Sequence, residues 1–433
     1  FPTRRSSDLL RTLEAAKAAS LGPRPLPLVN DPRCPRCSLQ PICLPDEVNH
    51  QRFTALTQSV QAAAQPLDSA RPGSTGQRNG TKVPEDHTPR KLWPPRSDGI
   101  QVVLLKDGIR VGVRGQSVRV TDRDGTTVRD LPLATIESVA VLGGVQVSTQ
   151  ALCVFADHEV PVAFLSAAGR LVAMMDPMGP TSAAVRMAQM RRFDQPERAL
   201  QLAKAIVSAK IHNQRTLLMR NHPALPDLAS NTMLQALRDA EGARTLDELR
   251  GHEGNAAAVY FKPFAGMFKP TAERIAGEFS ENGRRRRPPP DPVNCVISFG
   301  YAMLANECVA AARLASLEPS IGALHALRPG RPALALDLME PFRPLIADSV
   351  AISAFNRGEL VEGHFSRTSA GCAMTDSGRR AFFGAYGRRM ETEVTHPVFE
   401  YRLCYRRMLM LHARLIAAWL LDEVPTLAFL TTR

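Results

Sequence analysis

The run from Ile100 to Leu142, IQVVLLKDGIRVGVRGQSVRVTDRDGTTVRDLPLATIESVAVL, decides how the chain is read. Short stretches of β-branched residues are separated there by Asp107-Gly108 and Asp124-Gly125, and an Asp-Gly pair between such stretches is the strongest short-range signal for a hairpin. The pattern predicts a small, mostly antiparallel β domain over 99–180, with one helix near 148–158 and further strands at 160–165 and 169–175. Pro177 and Pro180 close it.

Downstream, over 181–433, the period changes. Apolar positions three and four apart in 183–192, 196–221, 230–241, 254–267, 292–317, 333–356 and 398–421, edged by Pro196, Asp291-Pro292 and Pro397, predict a domain made wholly of helices. Upstream, residues 51–98 are rich in Pro, Gly, Ser and charge and have no apolar period, so they read as a flexible linker. Residues 10–50 open with a short amphipathic helix, Leu10 to Leu21, and continue as a Pro-rich stretch that holds three of the eight cysteines. The first nine residues, FPTRRSSDL, resemble the translation of a sequencing-adapter oligonucleotide and are set aside, which makes the chain read as truncated at its N-terminus. The expected fold class is α+β and multidomain: a cysteine-rich remnant, a linker, a small β domain and a larger helical catalytic domain.

A chain of 433 residues, 44% hydrophobic and 22% charged, is ordinary for globular protein and excludes collagen and a wholly disordered chain. The 54 Lys and Arg against 42 Asp and Glu leave a formal charge of +12, which favours a polyanionic partner. The most apolar stretches, 151–175 and 293–317, are interrupted by Asp157, His158, Glu159 and Arg170, and by Asn306, Glu307 and Arg313, so the chain is expected to be soluble, with no membrane partner.

Cys34, Cys37 and Cys43 lie in a C-x2-C-x5-C spacing between prolines. Thiolates so spaced can close round one soft metal centre, zinc or iron-sulfur, although such centres usually take four ligands and three are present before Ile100. The plainer alternative is three loop thiols. The other cysteines, Cys153, Cys295, Cys308, Cys372 and Cys404, stand singly in apolar segments and are most simply buried hydrophobes. Thiols used in this way place the chain in the cytoplasm.

Three places in the helical region could carry hard-metal chemistry: Glu253 in GHEGNAAAVYF, ahead of a predicted helix; His325 in LHALRPG; and Asp337 with Glu340, on one face of the helix ALALDLMEPF. Acids inside an apolar helix need partners, and a Glu, His, Asp/Glu set suits Mg2+ or Mn2+. Each residue also has a plainer reading, as a capping or core histidine, a first-turn acid, or ion-pair partners of Arg328, Arg331 or Arg343. Arg284, Arg285, Arg286 and Arg287, followed by Pro288 to Pro290, form a cationic loop for phosphate backbones, with Lys262 nearby. Arg186, Arg191, Arg192, Lys210 and Arg215 are scattered over neighbouring helices, and part of this set is solvated face.

The segments EGNAAAVYF, RRRRPPPDPVNCVISFGYAML, HALRPGRPALALDLMEPFRP and FEYRLCYRRMLMLHARLIA, in this order, resemble the CRISPR adaptation integrase family over about Ile100 to Arg433. That resemblance implies metal ligands and catalytic residues at Glu253, His325 and Glu340, with Asp337 as a supporting acid, and a homodimer built through the β domain. It implies double-stranded DNA partners, prespacer and CRISPR repeat, together with a small ferredoxin-like dimeric adaptation protein. Pro341 stands where the family commonly has a second glutamate. The cysteine segment DPRCPRCSLQPICLPDE resembles the C-terminal triplet of CRISPR-associated RecB-like exonucleases, whose cluster is iron-sulfur; one ligand is wanting here, and so is the exonuclease's catalytic part. The implied activity is metal-dependent integration of short duplexes by transesterification, a 3'-hydroxyl attacking a phosphodiester. A plain metal-dependent endonuclease would use the same ligands, and a non-catalytic basic DNA-binding scaffold with an iron-sulfur module would need only the arginines.

Overall fold

The computed structural model describes residues 11–15, 17, 26–34, 37, 39–64, 99–177, 181–369 and 371–432. The adapter-like opening, most of the expected helix over 10–21, and Pro180 lie outside the described residues. Two compact units emerge, Phe1–Leu92 with Glu423–Pro425, and Trp93–Asp422 with Thr426–Arg433. In the first, a one-turn helix, Gln40–Cys43, ends at Leu44 in the left-handed region and leads into α1 (Pro45–Ala64). Pro45 opens α1, where a missing amide costs nothing, and Asp46 and Glu47 meet the positive end of the helix dipole. This corrects the linker expected from residue 51: helix-favouring Ala, Leu and Gln sustain 51–64 without an apolar stripe, and the remainder of 51–98 lies outside the described residues.

The β part of the second unit holds eight strands: β1 (Ile100–Leu104), β2 (Arg110–Arg114), β3 (Ser117–Thr121), β4 (Thr127–Pro132), β5 (Ile136–Leu142), β6 (Gln146–Val147), β7 (Val162–Leu165) and β8 (Leu171–Met175). They make two four-stranded sheets, ordered β1-β5-β7-β8 and β4-β3-β2-β6. The expectation of a mostly antiparallel domain is corrected, because β1/β5, β5/β7 and β2/β6 pair in parallel. The crossover from β5 to β7 runs through α2 (Thr149–Asp157), capped by the Ser148 hydroxyl accepting from Ala151 N at 3.1 Å, and a helical crossover of this kind is what parallel strands require. The second Asp-Gly pair forms the expected hairpin: Gly125 has φ +81°, and Asp122 Oδ1 accepts from the amides of Asp124 and Thr126. The first does not, since β1 and β2 belong to different sheets; Gly108, at φ +83°, donates instead to Gly144 O at 2.9 Å. Val111, Val118, Val120, Val139, Val141 and Phe155 are among the residues of the shared core.

The remainder contains α3 (Ala183–Phe193), α4 (Pro196–Asn221), α5 (Asp227–Gly242), α6 (Leu246–Phe261), α7 (Glu273–Asn282), α8 (Pro292–Leu314), α9 (Ala333–Met339), α10 (Ser349–Asn356), α11 (Asp376–Met390) and α12 (Tyr405–Leu420). Two short hairpins, β9 (Phe365–Thr368) with β10 (Gly371–Met374), and β11 (Glu393–Thr395) with β12 (Arg402–Cys404), correct the expectation that 181–433 is wholly helical. The continuous helix expected over 333–356 is also broken. Pro341 and Pro344 each remove a backbone donor, and the chain passes through a 3-10 turn at Glu340–Phe342 and a π-helical stretch at Pro344–Asp348 between α9 and α10.

Helix α8 is long and apolar enough to cross a membrane by length and composition alone. It is mostly buried as the central helix of this unit, with Val293, Val296, Ile297, Met303, Leu304 and Cys308 enclosed. Its far side holds the β part in place. Gln101 Nε2 donates to Glu307 Oε1 at 2.7 Å, Asn306 Nδ2 donates to Gly169 O at 3.1 Å, and Arg313 pairs with Asp176 at 2.7 Å.

Candidate metal centre

Helix α6 starts eight residues earlier than its apolar period indicates, because Thr245 Oγ1 accepts from Glu248 N at 3.2 Å and caps it. Glu253 therefore stands in the helix interior, not in a first turn, which removes the dipole-favoured reading of this acid. Its carboxylate meets the ammonium of Lys210, projected from α4. Lys210 Nζ also lies 2.6 Å from Glu340 Oε2, so one cation joins two acids brought from α6 and from the break after α9.

His325 comes to the same place from the loop before α9. Its Nε2 is 3.6 Å from Glu340 Oε1, and its Nδ1 is 2.6 Å from Asp337 Oδ1. A carboxylate only accepts, so Nδ1 carries a proton, and Nε2 faces Glu340. Asp337 is fully enclosed, and Oδ2 also accepts from Ala323 N at 2.6 Å and Leu324 N at 2.9 Å while Oδ1 accepts from His325 N at 3.0 Å. Gly322 makes this clamp possible, since a Cβ there would lie 2.7 Å from Asp337 Oδ2 and from the Ala333 carbonyl carbon. Asp337, expected beside the site as a supporting acid, has its oxygens occupied in fixing the loop and the orientation of His325.

Glu340 is 5% exposed and surrounded by cations, with Arg343 3.0 Å from Oε1 in addition to Lys210 and His325. Burial by itself would raise its pKa; the charges of Arg343, Lys210 and His325 outweigh burial and bring it down to about 2. Arg343 is in turn stacked on Tyr301, 4.4 Å from the ring centre. Tyr301 and Tyr260 donate to the two oxygens of buried Asp348 at 2.7 and 2.8 Å. Burial raises Asp348 to about 6 against the opposing effect of those two bonds.

The arginine loop divides. Arg284 turns inward, donating to Asn294 Oδ1 at 2.8 Å and to Ser298 Oγ at 3.2 Å, with its guanidinium 5.5 Å from the Tyr301 ring centre. This corrects its place among free DNA-facing cations. Arg285, Arg286, Arg287 and Lys262 are exposed, as the sequence reading expects of a phosphate-binding set. Cys34, Cys37 and Cys43 form no disulfide, and Cys37 N donates to Cys34 O at 3.1 Å. Of the cysteines expected as buried hydrophobes, Cys295, Cys308 and Cys372 are buried, whereas Cys153 is exposed and Cys404 half-buried, which corrects that expectation for these two.

Lys210 is the functional-site residue that the sequence reading misplaced, counting it with scattered surface cations. A signal was present: in AIVSAKIHNQ, Lys210 falls on the stripe formed by Ile206, Val207 and Ile211, and a lysine on a buried face needs an anionic partner. Arg343 stands among the ion-pair partners that the sequence offers for Glu340, and the structure makes that pair; Asp348 carried no comparable signal.

Two carboxylates and an imidazole Nε2 suit a hard divalent ion, and two observations bear on the fit. Glu340 Oε2 is buried with a charge contact but no directed hydrogen bond, and the space between the acids already holds a positive charge. As the side chains stand, no three His, Cys, Asp or Glu groups among the described residues converge tightly enough to hold an ion. Lys210 lies between them.

The family model described as CRISPR associated protein Cas1 matches residues 102–388. A CRISPR-associated exonuclease Cas4/endonuclease Cas1 fusion from Geobacter sulfurreducens is 38% identical over 97% of this chain and 70% of its own length, and another from Rhodospirillum rubrum is 36% identical over 97% and 67%. Among solved structures, a Cas1 protein from Thermotoga maritima covers 77% of this chain and all of its own with a TM-score of 0.64 at 22% identity. A casposase bound to integration product covers 76% of this chain and 92% of its own, also with a TM-score of 0.64 at 22% identity, and both share the fold. The chain therefore belongs to the CRISPR associated Cas1 family, and relatives matching it along nearly its whole length are fusions of a Cas4 exonuclease with a Cas1 endonuclease.

Proposed function

We propose that this member of the Cas1 endonucleases of CRISPR adaptation is a metal-dependent integrase, joining the 3'-hydroxyl of a captured short duplex to a phosphodiester of the CRISPR repeat. The single observation that carries this reading is that Glu340 is shared by the other two groups: Lys210 joins it to Glu253, and His325 Nε2 lies 3.6 Å from its other oxygen. Glu253, Glu340 and His325 Nε2 would hold Mg2+ or Mn2+, and such an ion supplies Lewis acidity to the phosphate under attack. The chain's own residues do the rest. Asp337 holds the proton on His325 Nδ1 and keeps Nε2 available as a donor atom. Arg343, anchored on Tyr301, keeps Glu340 ionised and aimed in one direction. Arg285, Arg286, Arg287 and Lys262 bind duplex phosphates and position the strand without contributing to the chemical step.

The casposase neighbour, bound to integration product, and a neighbour from a Cas6-RT-Cas1–Cas2 complex support strand joining and a Cas2 partner for this chain. We assign it a homodimer that takes prespacer and repeat DNA together with that small ferredoxin-like partner, in the cytoplasm. Cys34, Cys37 and Cys43 are assigned to the iron-sulfur cluster of the exonuclease part, lacking one ligand within this stretch. The test is an integration assay with a labelled prespacer, a repeat-bearing plasmid, the Cas2 partner and Mg2+ or Mn2+. Joined product that disappears with Glu253→Gln, His325→Ala or Glu340→Gln supports the reading. Cleavage without joining would make the protein a plain endonuclease, and DNA binding with neither would leave a scaffold.

A further inference from the structure

Resting on the metal-site reading just given, we infer that Lys210 is a placeholder for the ion. Its ammonium holds Glu253 and Glu340 together in the ion-free protein and has to leave them when a divalent cation binds.

The spacing makes the two cations exclusive. Nζ is in contact with Glu253 Oε1 and 2.6 Å from Glu340 Oε2. A Mg2+ ion bound to the same oxygens would sit roughly 2.1 Å from each, overlapping the ammonium. Charge leads to the same conclusion. Lys210 and Arg343 balance Glu253 and Glu340, and Asp337 is paired with His325, so a divalent ion added with both basic groups in place would leave excess positive charge beside a carboxylate that is 5% exposed.

Of the two basic side chains, Arg343 is fixed from behind, stacked on the Tyr301 ring whose hydroxyl is bonded to Asp348. Among the described residues, the ion pairs of Lys210 are with the two acids alone. Its charge rides on a flexible four-carbon stem, and Glu253, 26% exposed, opens the site toward solvent on that side. Lys210 is thus a positioning residue: it keeps two acids from repelling each other in the empty site, lowers the site's affinity for metal, and couples metal loading to its own release.

The experiment uses the full chain and Mn2+ as probe, with free Mn2+ followed by electron paramagnetic resonance and melting followed by calorimetry. Lys210→Met keeps the length and removes the charge. It should melt lower than wild type in chelator, bind Mn2+ at least about tenfold more tightly, and gain more melting temperature from Mn2+. In wild type, reductive methylation read by mass spectrometry should label Lys210 weakly without Mn2+ and more strongly with it, while exposed Lys262 serves as the constant reference. Unchanged or weaker Mn2+ binding by Lys210→Met overturns the inference, and so does Lys210 labelling that stays level or falls with Mn2+. If Lys210→Met does not fold, the labelling decides alone. Glu340→Gln separates the two readings: wild type that takes up no Mn2+, or a Glu340→Gln protein that binds it equally well, removes the metal site itself and the placeholder with it.

Discussion

Replacing Glu340 by Gln changes one oxygen and one charge, and its two expected effects have different sizes and different readouts. In metal-free protein the carboxylate faces Arg343 at 3.0 Å and Lys210 at 2.6 Å in a site it barely exposes. Each such charge-assisted contact contributes about 1.5–3 kcal/mol. Lys210 retains Glu253 after the substitution, whereas Arg343 retains only the Tyr301 ring. The net loss is therefore closer to the two contacts at their lower bound, about 3 kcal/mol, and guanidinium unfolding curves in chelator should shift by that amount with an unchanged slope. Strand joining should fall by several orders of magnitude, because a lost ligand removes stabilisation made only in the transition state. Duplex affinity should stay near wild type, since exposed arginines supply it. The discriminating measurement is the joining rate per folded molecule, taken well below the melting temperature on the preparation used for the unfolding curve. A variant destabilised by about 3 kcal/mol that joins at the wild-type rate would show Glu340 to be a structural ion-pair partner and refute the site.

Asp337→Ala should lower both stability and joining rate, because it leaves the amides of Ala323, Leu324 and His325 without an acceptor in the interior; Asp337→Asn should recover part of both, and equal behaviour of the two would argue against the clamp. Arg285→Ala with Arg286→Ala should reduce the slope of log K against log salt by about one to two, measured by titration with duplex DNA. Arg284→Ala should leave that slope nearly unchanged and lower the melting temperature, since its hydrogen bonds are internal. Buried His396, held at about 3 by desolvation, remains neutral in the fold while the unfolded chain takes up a proton below about pH 6.5. Its folded pKa is depressed, so stability is lost as pH falls from 6.5 toward 3; at pH 5 the loss is about 2 kcal/mol relative to neutral pH. Comparing the acid limbs of wild type and His396→Phe by urea unfolding isolates it, and parallel limbs would contradict the assignment.

Much of the β part was legible because hairpin chemistry is local: Asp122, Asp124 and Gly125 contain the whole turn between β3 and β4. Asp107-Gly108 shows where that ends. The same dipeptide served a crossing between two sheets, and which sheet β2 joins depends on Val111 packing into a core shared with Phe155 of α2. The helices α3 and α4 lie where the sequence places them, while α11 has no clear apolar stripe and α7, though strongly amphipathic, is only 10 residues long and falls outside the helices expected from the sequence.

Glu253, His325 and Glu340 could be named in advance because acids and an imidazole within apolar surroundings demand an explanation, and their motifs resembled a known family. Their mutual geometry could not be read in that way. Glu253 and His325 are 72 residues apart, Lys210 is 43 residues before Glu253, and nothing local relates them. The sequence by itself determined which residue types were present, where many of the strands and helices lie from period and turn chemistry, and that the chain would carry excess positive charge. Only the tertiary structure decided that Lys210 faces two acids, that Arg284 turns inward, and that Asp337 serves His325. Burial removes competing water and makes each of these partners obligatory, and burial is a property of the packed chain that no local stretch of it contains.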